Sequence, residues 1–127
     1  MSKAYPHIAI VEQEFLIAVD AQYLIGEALE CRVTIIRPDE LERWATTDLP
    51  AFDFCLLDLP IEATPALAVA SRLQTLGIPF AFTSVSELNR HGVTAFDDVP
   101  VIAKPYGDGV LLSVVRHMLP DARPRQN

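Results

Sequence analysis

The 127-residue sequence has few basic residues, few cysteines and no apolar run long enough to cross a bilayer. Its 10 Lys and Arg against 17 Asp and Glu give a net charge of -7, which argues against nonspecific binding to nucleic acid, because such binding needs many basic contacts to phosphate. Cys31 and Cys55 give neither a CxxC pair nor a disulfide framework. Glu12, Gln13 and Glu14 interrupt the first apolar segment, so no signal peptide is predicted. We therefore expect a cytoplasmic protein with no nucleic-acid or membrane partner.

The length and composition predict one compact domain at residues 1–120 and a frayed tail at 121–127. Short apolar runs alternate along the chain with longer segments that have helical features. The predicted strands are His7–Val11, Cys31–Ile36, a run within Phe52–Pro60 that ends at Asp58, Pro79–Phe82 and Val101–Ala103. The predicted helices are Phe15–Leu29, Pro38–Ala45, a segment from an N-cap at Thr64 to Gly77, a short one near Val85–Arg90, and Asp108–Leu119. This alternation predicts an α/β fold in which helices cover both faces of a parallel sheet.

Polar residues follow four of the predicted strands. The third strand is almost wholly apolar until Asp58, which is typical of a strand that is buried on both faces. Glu12 with Gln13, Thr83 and Lys104 follow the first, fourth and fifth strands. Because the carboxyl ends of parallel strands open on one crevice, we expect these groups to meet there. Their chemistry suits Mg²⁺, which prefers oxygen ligands, and a phosphoryl group, whose negative charge needs positive neighbours.

Four motifs in this order resemble those of receiver domains of two-component response regulators. They are the acid-containing pair after strand one, the Leu-Leu-Asp-Leu run around Asp58, Phe-Thr-Ser around Thr83 and Ala-Lys-Pro-Tyr around Lys104. The resemblance covers about residues 5–119 and implies a flavodoxin-like, doubly wound, five-stranded parallel sheet with strand order 2-1-3-4-5. The segments 77–80 and 99–101 look especially like receivers of the branch associated with HWE-type histidine kinases.

The resemblance implies a role in a phosphorelay for each strand-end residue. Asp58 would accept a phosphoryl group from a histidine kinase or a phosphotransfer protein. Lys104 would pair with the phosphoryl oxygens, and the Thr83 hydroxyl would turn to bond them. The implied Mg ligands are Glu12, Gln13, Asp58 and the main-chain carbonyl of Pro60, which proline retains.

The protein implied by this resemblance is a stand-alone signalling phosphoprotein and not an enzyme. No effector module is visible in the sequence, so output would go to a downstream protein target through surface contacts. In the family, the face that corresponds to about Val85–Leu119 often makes such contacts. Formation of a homodimer is left open.

Three positions depart from the family pattern. Gln13 stands where the family usually has the carboxylate that touches the metal, so Mg²⁺ binding should be weaker. Val101 occupies the position of the aromatic switch residue, and Tyr106 after the lysine is not assumed to replace it. Ser84 follows Thr83 where a smaller residue is common, which narrows access to the phosphoryl site. A degenerate pseudo-receiver that serves as a binding module is therefore the alternative function.

Structural roles and other enzyme classes compete for the same residues. Asp58 could cap a neighbouring helix, Lys104 could be a solvated lysine before a turn, and Thr83 could satisfy local backbone groups. Glu12 and Gln13 could belong to a helix N-terminus. A phosphatase of the haloacid dehalogenase type would need a second aspartate at the position of Pro60. A flavodoxin would need a hydroxyl- and glycine-rich phosphate loop after strand one, where this chain has acidic residues.

Overall fold

The computed structural model describes residues 5–43, 52–60, 62–86, 92–107 and 109–125. The five strands are β1 (His7–Val11), β2 (Arg32–Ile36), β3 (Phe54–Asp58), β4 (Phe80–Ser84) and β5 (Val101–Ala103). The helices are α1 (Phe15–Ala28), α2 (Pro38–Arg43), α3 (Thr64–Leu76) and α4 (Val110–Met118). All strand pairs are parallel, and the strand order is β2-β1-β3-β4-β5. The predicted flavodoxin-like fold is therefore confirmed.

Side chains of the central strands alternate between two apolar layers. One layer packs with α3 and includes Val11, Leu57 and Phe82. The other layer packs with α1 and α4 and includes Ile10 and Leu56. Because both faces of β1, β3 and β4 are covered, these strands lack the alternation of apolar and polar residues that marks a half-exposed sheet.

Three of the site residues continue the layer that faces α1 and α4. Glu12 and Asp58 come two residues after Ile10 and Leu56, and Lys104 comes two residues after Ile102, all of which belong to that layer. Side chains alternate along a strand, so residues two apart leave the same face. The parallel register thus places the carboxylates of Glu12 and Asp58 and the ammonium of Lys104 at one edge of the sheet.

Several predicted boundaries need correction. Helix α3 begins at Thr64 and its N-cap is Ala63, so Thr64 is the first helical residue and not the cap. Gly77 ends the helix as predicted, with a left-handed φ of 75° that glycine adopts without a steric cost. Strand β4 runs from Phe80 through Ser84 and therefore includes both hydroxyl residues. The predicted end of the second helix at Ala45, most of the helix near Val85–Arg90 and the helix start at Asp108 lie outside the described residues.

The C-terminal segment contacts the end of α1, where a frayed tail was predicted. The Arg125 N–H donates to Ala28 O at 2.8 Å, and the Glu30 N–H donates to Arg123 O at 2.8 Å. The Arg125 guanidinium also donates to the carbonyls of Gly26 and Leu29. The last carbonyls of a helix lack partners within the helix and carry partial negative charge, so a cationic donor is stabilising there. Residues 123–125 are thus held to the domain.

No helix in the described ranges is long and apolar enough to span a membrane.

Candidate functional site

A buried lysine joins two carboxylates at the carboxyl edge of the sheet. Lys104 Nζ lies 2.5 Å from Asp58 Oδ1 and 2.8 Å from Glu12 Oε1. The three side chains are only 5%, 9% and 2% exposed, respectively. Burial lowers the pKa of Lys104, but hydrogen bonds and charges from Asp58 and Glu12 outweigh it and raise that pKa above its usual value. Lys104 therefore stays charged, and the trio carries one net negative charge when both carboxylates are ionised.

Main-chain hydrogen bonds fix Glu12 and Lys104 at this edge. The Glu12 N–H donates to Ile36 O at 3.1 Å, which continues the pairing of β1 with β2 beyond Val11. The Lys104 N–H donates to Ser84 O at 2.9 Å and continues the pairing of β4 with β5 in the same way. Both side chains are therefore carried by the sheet and not by a free loop.

Glu12 also contacts the start of α1. Its Oε2 accepts a hydrogen bond from the Glu14 N–H at 3.1 Å, while its Oε1 binds Lys104. The predicted alternative that Glu12 serves a helix N-terminus is thus compatible with its place in the site. Gln13 is exposed and lines the cleft above Asp58.

Thr83 lies beside Asp58 on the neighbouring strand. The two residues are paired in the β3–β4 register, and Thr83 is 1% exposed. The Leu59 N–H donates to Thr83 O at 2.8 Å, which holds the strands together at this point. The Ser84 hydroxyl accepts a hydrogen bond from the Ser86 N–H at 3.0 Å, so this side chain helps to shape the turn after β4.

Tyr106 is a site residue whose role the sequence analysis left open. Its ring packs in the layer that faces α1 and α4. Burial and the charges of Glu12 and Asp58 raise the pKa of Tyr106 far above its usual value, so the phenol stays protonated. The aromatic residue after Lys104-Pro105 was the available signal, but a sequence does not show which strand end it reaches.

A cleft of about 670 Å³ opens above these residues. Its lining includes Gln13, Asp58, Pro60, Val85 and Lys104. The cleft gives an incoming group access to Asp58 even though the carboxylate itself is mostly buried. The structure thus brings together Glu12, Asp58, Thr83 and Lys104, and it places Gln13 and Pro60 at the rim.

The oxygen atoms at this edge are of the kind that a hard divalent cation prefers as ligands, but few of them carry negative charge. Carboxylate, amide and main-chain carbonyl oxygens are the ligands that Mg²⁺ prefers. Within the described ranges, however, no cluster of three or more His, Cys, Asp or Glu residues could hold a metal. Glu12 and Asp58 are the two carboxylates, and both already bind Lys104. The residues therefore fit Mg²⁺ with one carboxylate fewer than a three-acid site would provide.

Comparison with solved structures identifies the architecture, whereas no family model and no curated protein matches the sequence. A signal receiver domain of a modulated diguanylate cyclase from Desulfovibrio desulfuricans G20 has a TM-score of 0.69 at 21% identity, over 91% of this chain and 94% of that chain. A response regulator receiver protein from Burkholderia phymatum gives 0.69 at 17% identity, over 94% of this chain and 99% of that chain. SdrG from Sphingomonas melonis Fr1 gives 0.67 at 23% identity, over 93% of this chain and 99% of that chain.

The chain has the receiver-domain fold. The likeness extends over nearly the whole chain, as the sequence motifs predicted. Within the receiver fold the strand ends of β1, β3, β4 and β5 supply Glu12, Asp58, Thr83 and Lys104. The roles predicted for these residues are a separate matter, because identities below 25% establish the architecture alone.

Proposed function

We propose that the chain is a response-regulator receiver domain that is phosphorylated on Asp58. The observation that supports this most strongly is the buried trio in which Lys104 Nζ bridges Asp58 Oδ1 and Glu12 Oε1 beneath an open cleft. A lysine that only faced solvent would not be 5% exposed between two carboxylates. Burial of charged groups is costly unless they are paired, so such a set is more typical of a functional site than of a packing solution.

The proposed reaction transfers a phosphoryl group from the imidazole nitrogen of a phosphohistidine to an Asp58 carboxylate oxygen. The P–N bond breaks, a P–O bond forms, and the imidazole nitrogen keeps the bonding electron pair and takes up a proton. A phosphoryl group on Asp58 would lie within a few ångströms of Lys104 Nζ, which is already at the carboxylate. The ammonium would then balance the charge that develops on the phosphoryl oxygens.

A bound Mg²⁺ would supply further positive charge to this transfer. We propose Glu12, Gln13, Asp58 and the Pro60 carbonyl as its ligands. Glu12 and Asp58 are buried at the edge of the sheet, while Gln13 and Pro60 line the cleft above them. Because Gln13 contributes no charge, we expect the ion to bind more weakly than at a site with a third carboxylate.

The phosphoryl donor in this proposal is a histidine kinase or a phosphotransfer protein, and the output is contact with a downstream protein target. The segments at 77–80 and 99–101 favour the branch associated with HWE-type histidine kinases. The alternative is a pseudo-receiver that binds partners without using Asp58, which Gln13 and Val101 favour. The two functions differ in whether Asp58 ever carries a phosphoryl group.

Incubation with Mg²⁺ and phosphoramidate or acetyl phosphate tests the proposal. Intact-mass spectrometry should detect a phosphoryl adduct in the wild-type protein and none in Asp58→Asn. The matched control is Asp98→Asn, which changes an exposed aspartate outside the site and should leave the adduct yield unchanged. Absence of an adduct in the wild type, or an equal adduct in Asp58→Asn, contradicts the proposal.

A further inference from the structure

A second cavity lies beside Asp58, on the face of the sheet that α3 covers. Its volume is about 590 Å³, and it shares Gln13, Asp58 and Pro60 with the cleft above the buried trio. Glu12 and Lys104 line that cleft but not the second cavity. The phosphoryl chemistry proposed above therefore makes no use of this space, which is called the α3-side cavity below.

The walls of the α3-side cavity are mostly apolar. They include four side chains of the core layer that packs with α3, namely Val11, Leu57, Ala66 and Val69. Ala66 lies in the first turn of α3, and its single methyl group leaves space that a longer side chain would fill. A cavity of this size with apolar walls and a few polar groups is typical of a small-molecule site, because a bound molecule removes the apolar surface from water.

The rim of the α3-side cavity carries more negative than positive charge. The described lining residues contribute one cation, Arg37, and its guanidinium already binds Asp39 Oδ2 at 3.2 Å. Glu62 is exposed at the rim, and Asp58 belongs to a trio that keeps one net negative charge despite Lys104. Ionised carboxylates are acceptors only and attract cations. The charge of the rim therefore complements a positively charged hydrogen-bond donor.

We propose that the α3-side cavity binds a small organic cation in which an ammonium group is attached to an apolar body. The body covers Val11, Leu57 and Val69, and the ammonium lies at the rim near Glu62. A neutral molecule of the same shape lacks the attraction of the carboxylates, and an anionic one is repelled by them. This binding does not depend on whether Asp58 is phosphorylated.

Occupation of the cavity also acts on the candidate site. Gln13 and Asp58 line both the α3-side cavity and the cleft, so a bound ammonium adds positive charge next to two of the proposed Mg²⁺ ligands. Repulsion between the two cations then weakens Mg²⁺ binding. This regulatory part of the inference rests on the proposed function, whereas the binding of the organic cation does not.

The first experiment is an NMR titration of methyl-labelled wild-type protein with 2-phenylethylammonium. The methyl shifts of Val11, Leu57 and Val69 should change along one saturable curve, and those of Ile10 and Leu56 in the opposite layer should change much less. 2-Phenylethanol should bind about two- to fivefold more weakly, the factor expected for a partly exposed ion pair, and 3-phenylpropionate more weakly still. Absence of saturable shifts, or equal affinities for the three probes, overturns the inference.

A pair of variants on α3 locates the probe. Ala66→Met extends a side chain into the cavity and should abolish the saturable shifts. Ala68→Met makes the same change at an exposed position of α3 that does not line the cavity, so it should leave the titration unchanged. Saturable shifts of the same size in folded Ala66→Met overturn the inference.

A charge variant covers the case in which Ala66→Met does not fold. Glu62→Gln removes a carboxylate from an exposed position of the rim and should weaken binding of 2-phenylethylammonium about two- to fivefold, without a change for 2-phenylethanol. The matched control is Glu27→Gln on the exposed side of α1, which should affect neither probe. Equal affinity of the wild type and Glu62→Gln for the ammonium probe contradicts its placement at this rim.

The second experiment measures Mg²⁺ binding by isothermal titration with and without saturating 2-phenylethylammonium, at constant ionic strength. The probe should weaken Mg²⁺ binding to the wild type about two- to fivefold and should have no effect in Ala66→Met. An unchanged Mg²⁺ affinity in the wild type overturns the regulatory part. If the wild type binds no Mg²⁺ without the probe, the metal site of the proposed function fails, and the NMR titration alone decides whether the cavity is a cation site.

Discussion

Both edges of the sheet carry a cluster of polar and charged side chains, but the cluster at the carboxyl edge is buried and the cluster at the amino edge is partly or fully exposed. At the carboxyl edge, Lys104 is buried between Asp58 and Glu12. At the amino edge, His7 Nε2 lies 2.6 Å from Thr34 Oγ1, Arg32 donates to His7 Nδ1 at 3.3 Å, and the His7 N–H donates to Asp53 Oδ2 at 2.7 Å. The contacts at the amino edge are partly or fully exposed and join β1 to its two neighbours.

This difference separates a structural polar cluster from a candidate site. At the amino edge the residues on β1, on β2 and before β3 bind one another. Their contacts connect neighbouring strands. At the carboxyl edge the charges do not balance, and a cleft opens beside them. A smaller cavity also borders Asp53 at the amino edge. The distinguishing feature of the carboxyl edge is therefore its buried, unbalanced charge, which favours a functional role more than residue type alone does.

The largest expected effect comes from removal of the buried ammonium. Lys104→Met leaves Glu12 and Asp58 without their cation, so the free energy of unfolding should fall by about 3–5 kcal/mol, as it does when one partner of a buried ion pair is lost. Urea unfolding measures this change. The double variant Lys104→Met with Asp58→Asn should recover part of the loss, because one uncompensated carboxylate is gone. A loss below about 1 kcal/mol would show that the trio stabilises the fold no more than ordinary surface ion pairs do, and would contradict this prediction.

The next effect concerns the charge available to a divalent cation. Gln13→Asp adds one negative charge at the rim of the cleft, and one unit charge at about 4 Å contributes about 1–4 kcal/mol between water and a protein surface. Isothermal titration with Mg²⁺ should therefore show at least about fivefold tighter binding. Gln74→Glu, which adds the same charge on the exposed side of α3, is the matched control. Equal Mg²⁺ affinities in the parent and Gln13→Asp would contradict a role for position 13 in the site.

The smallest effect is expected at the amino edge as the pH changes. Burial, together with the charge of Arg32, lowers the pKa of His7 in the folded protein although Asp53 opposes this. The unfolded chain then binds a proton more readily, so stability is complete above the unfolded pKa of about 6.5 and is lost as the pH falls toward the lowered folded value. The slope of unfolding free energy between about pH 7 and pH 5 should be smaller in His7→Asn. The same slope in both proteins would show that His7 does not titrate differently on folding.

The sequence predicted the carboxyl edge well because a parallel sheet follows simple rules. Residues two apart along a strand leave the same face of the sheet, and Asp58 and Lys104 each come two residues after an apolar residue of the same layer. Their side chains therefore leave the same face once the sheet is recognised. The boundary of α3 was one residue off because Thr64-Pro65 matches both an N-cap and a first turn, and only the backbone angles of Ala63 distinguish them.

Contacts of the C-terminal tail and of the segment after β5 were beyond prediction. Arg125 binds the Gly26 carbonyl, which is 99 residues away in the sequence. No local sequence pattern near either residue indicates that pairing. The packing of Tyr106 in the layer that faces α1 and α4 likewise depends on the path of the chain after β5, which no local pattern specifies. Local rules located the groups that end strands, and three-dimensional packing determined which loop and tail residues reach them.

The proposed function requires that Asp58, alone among the carboxylates of the chain, carries the phosphoryl group. Its most direct test treats the protein with acetyl phosphate and Mg²⁺, reduces the acyl phosphate with borohydride and locates the resulting homoserine by peptide mass spectrometry. We predict homoserine at position 58 alone. Homoserine at any other aspartate position, or none in the folded wild-type protein, would contradict the account.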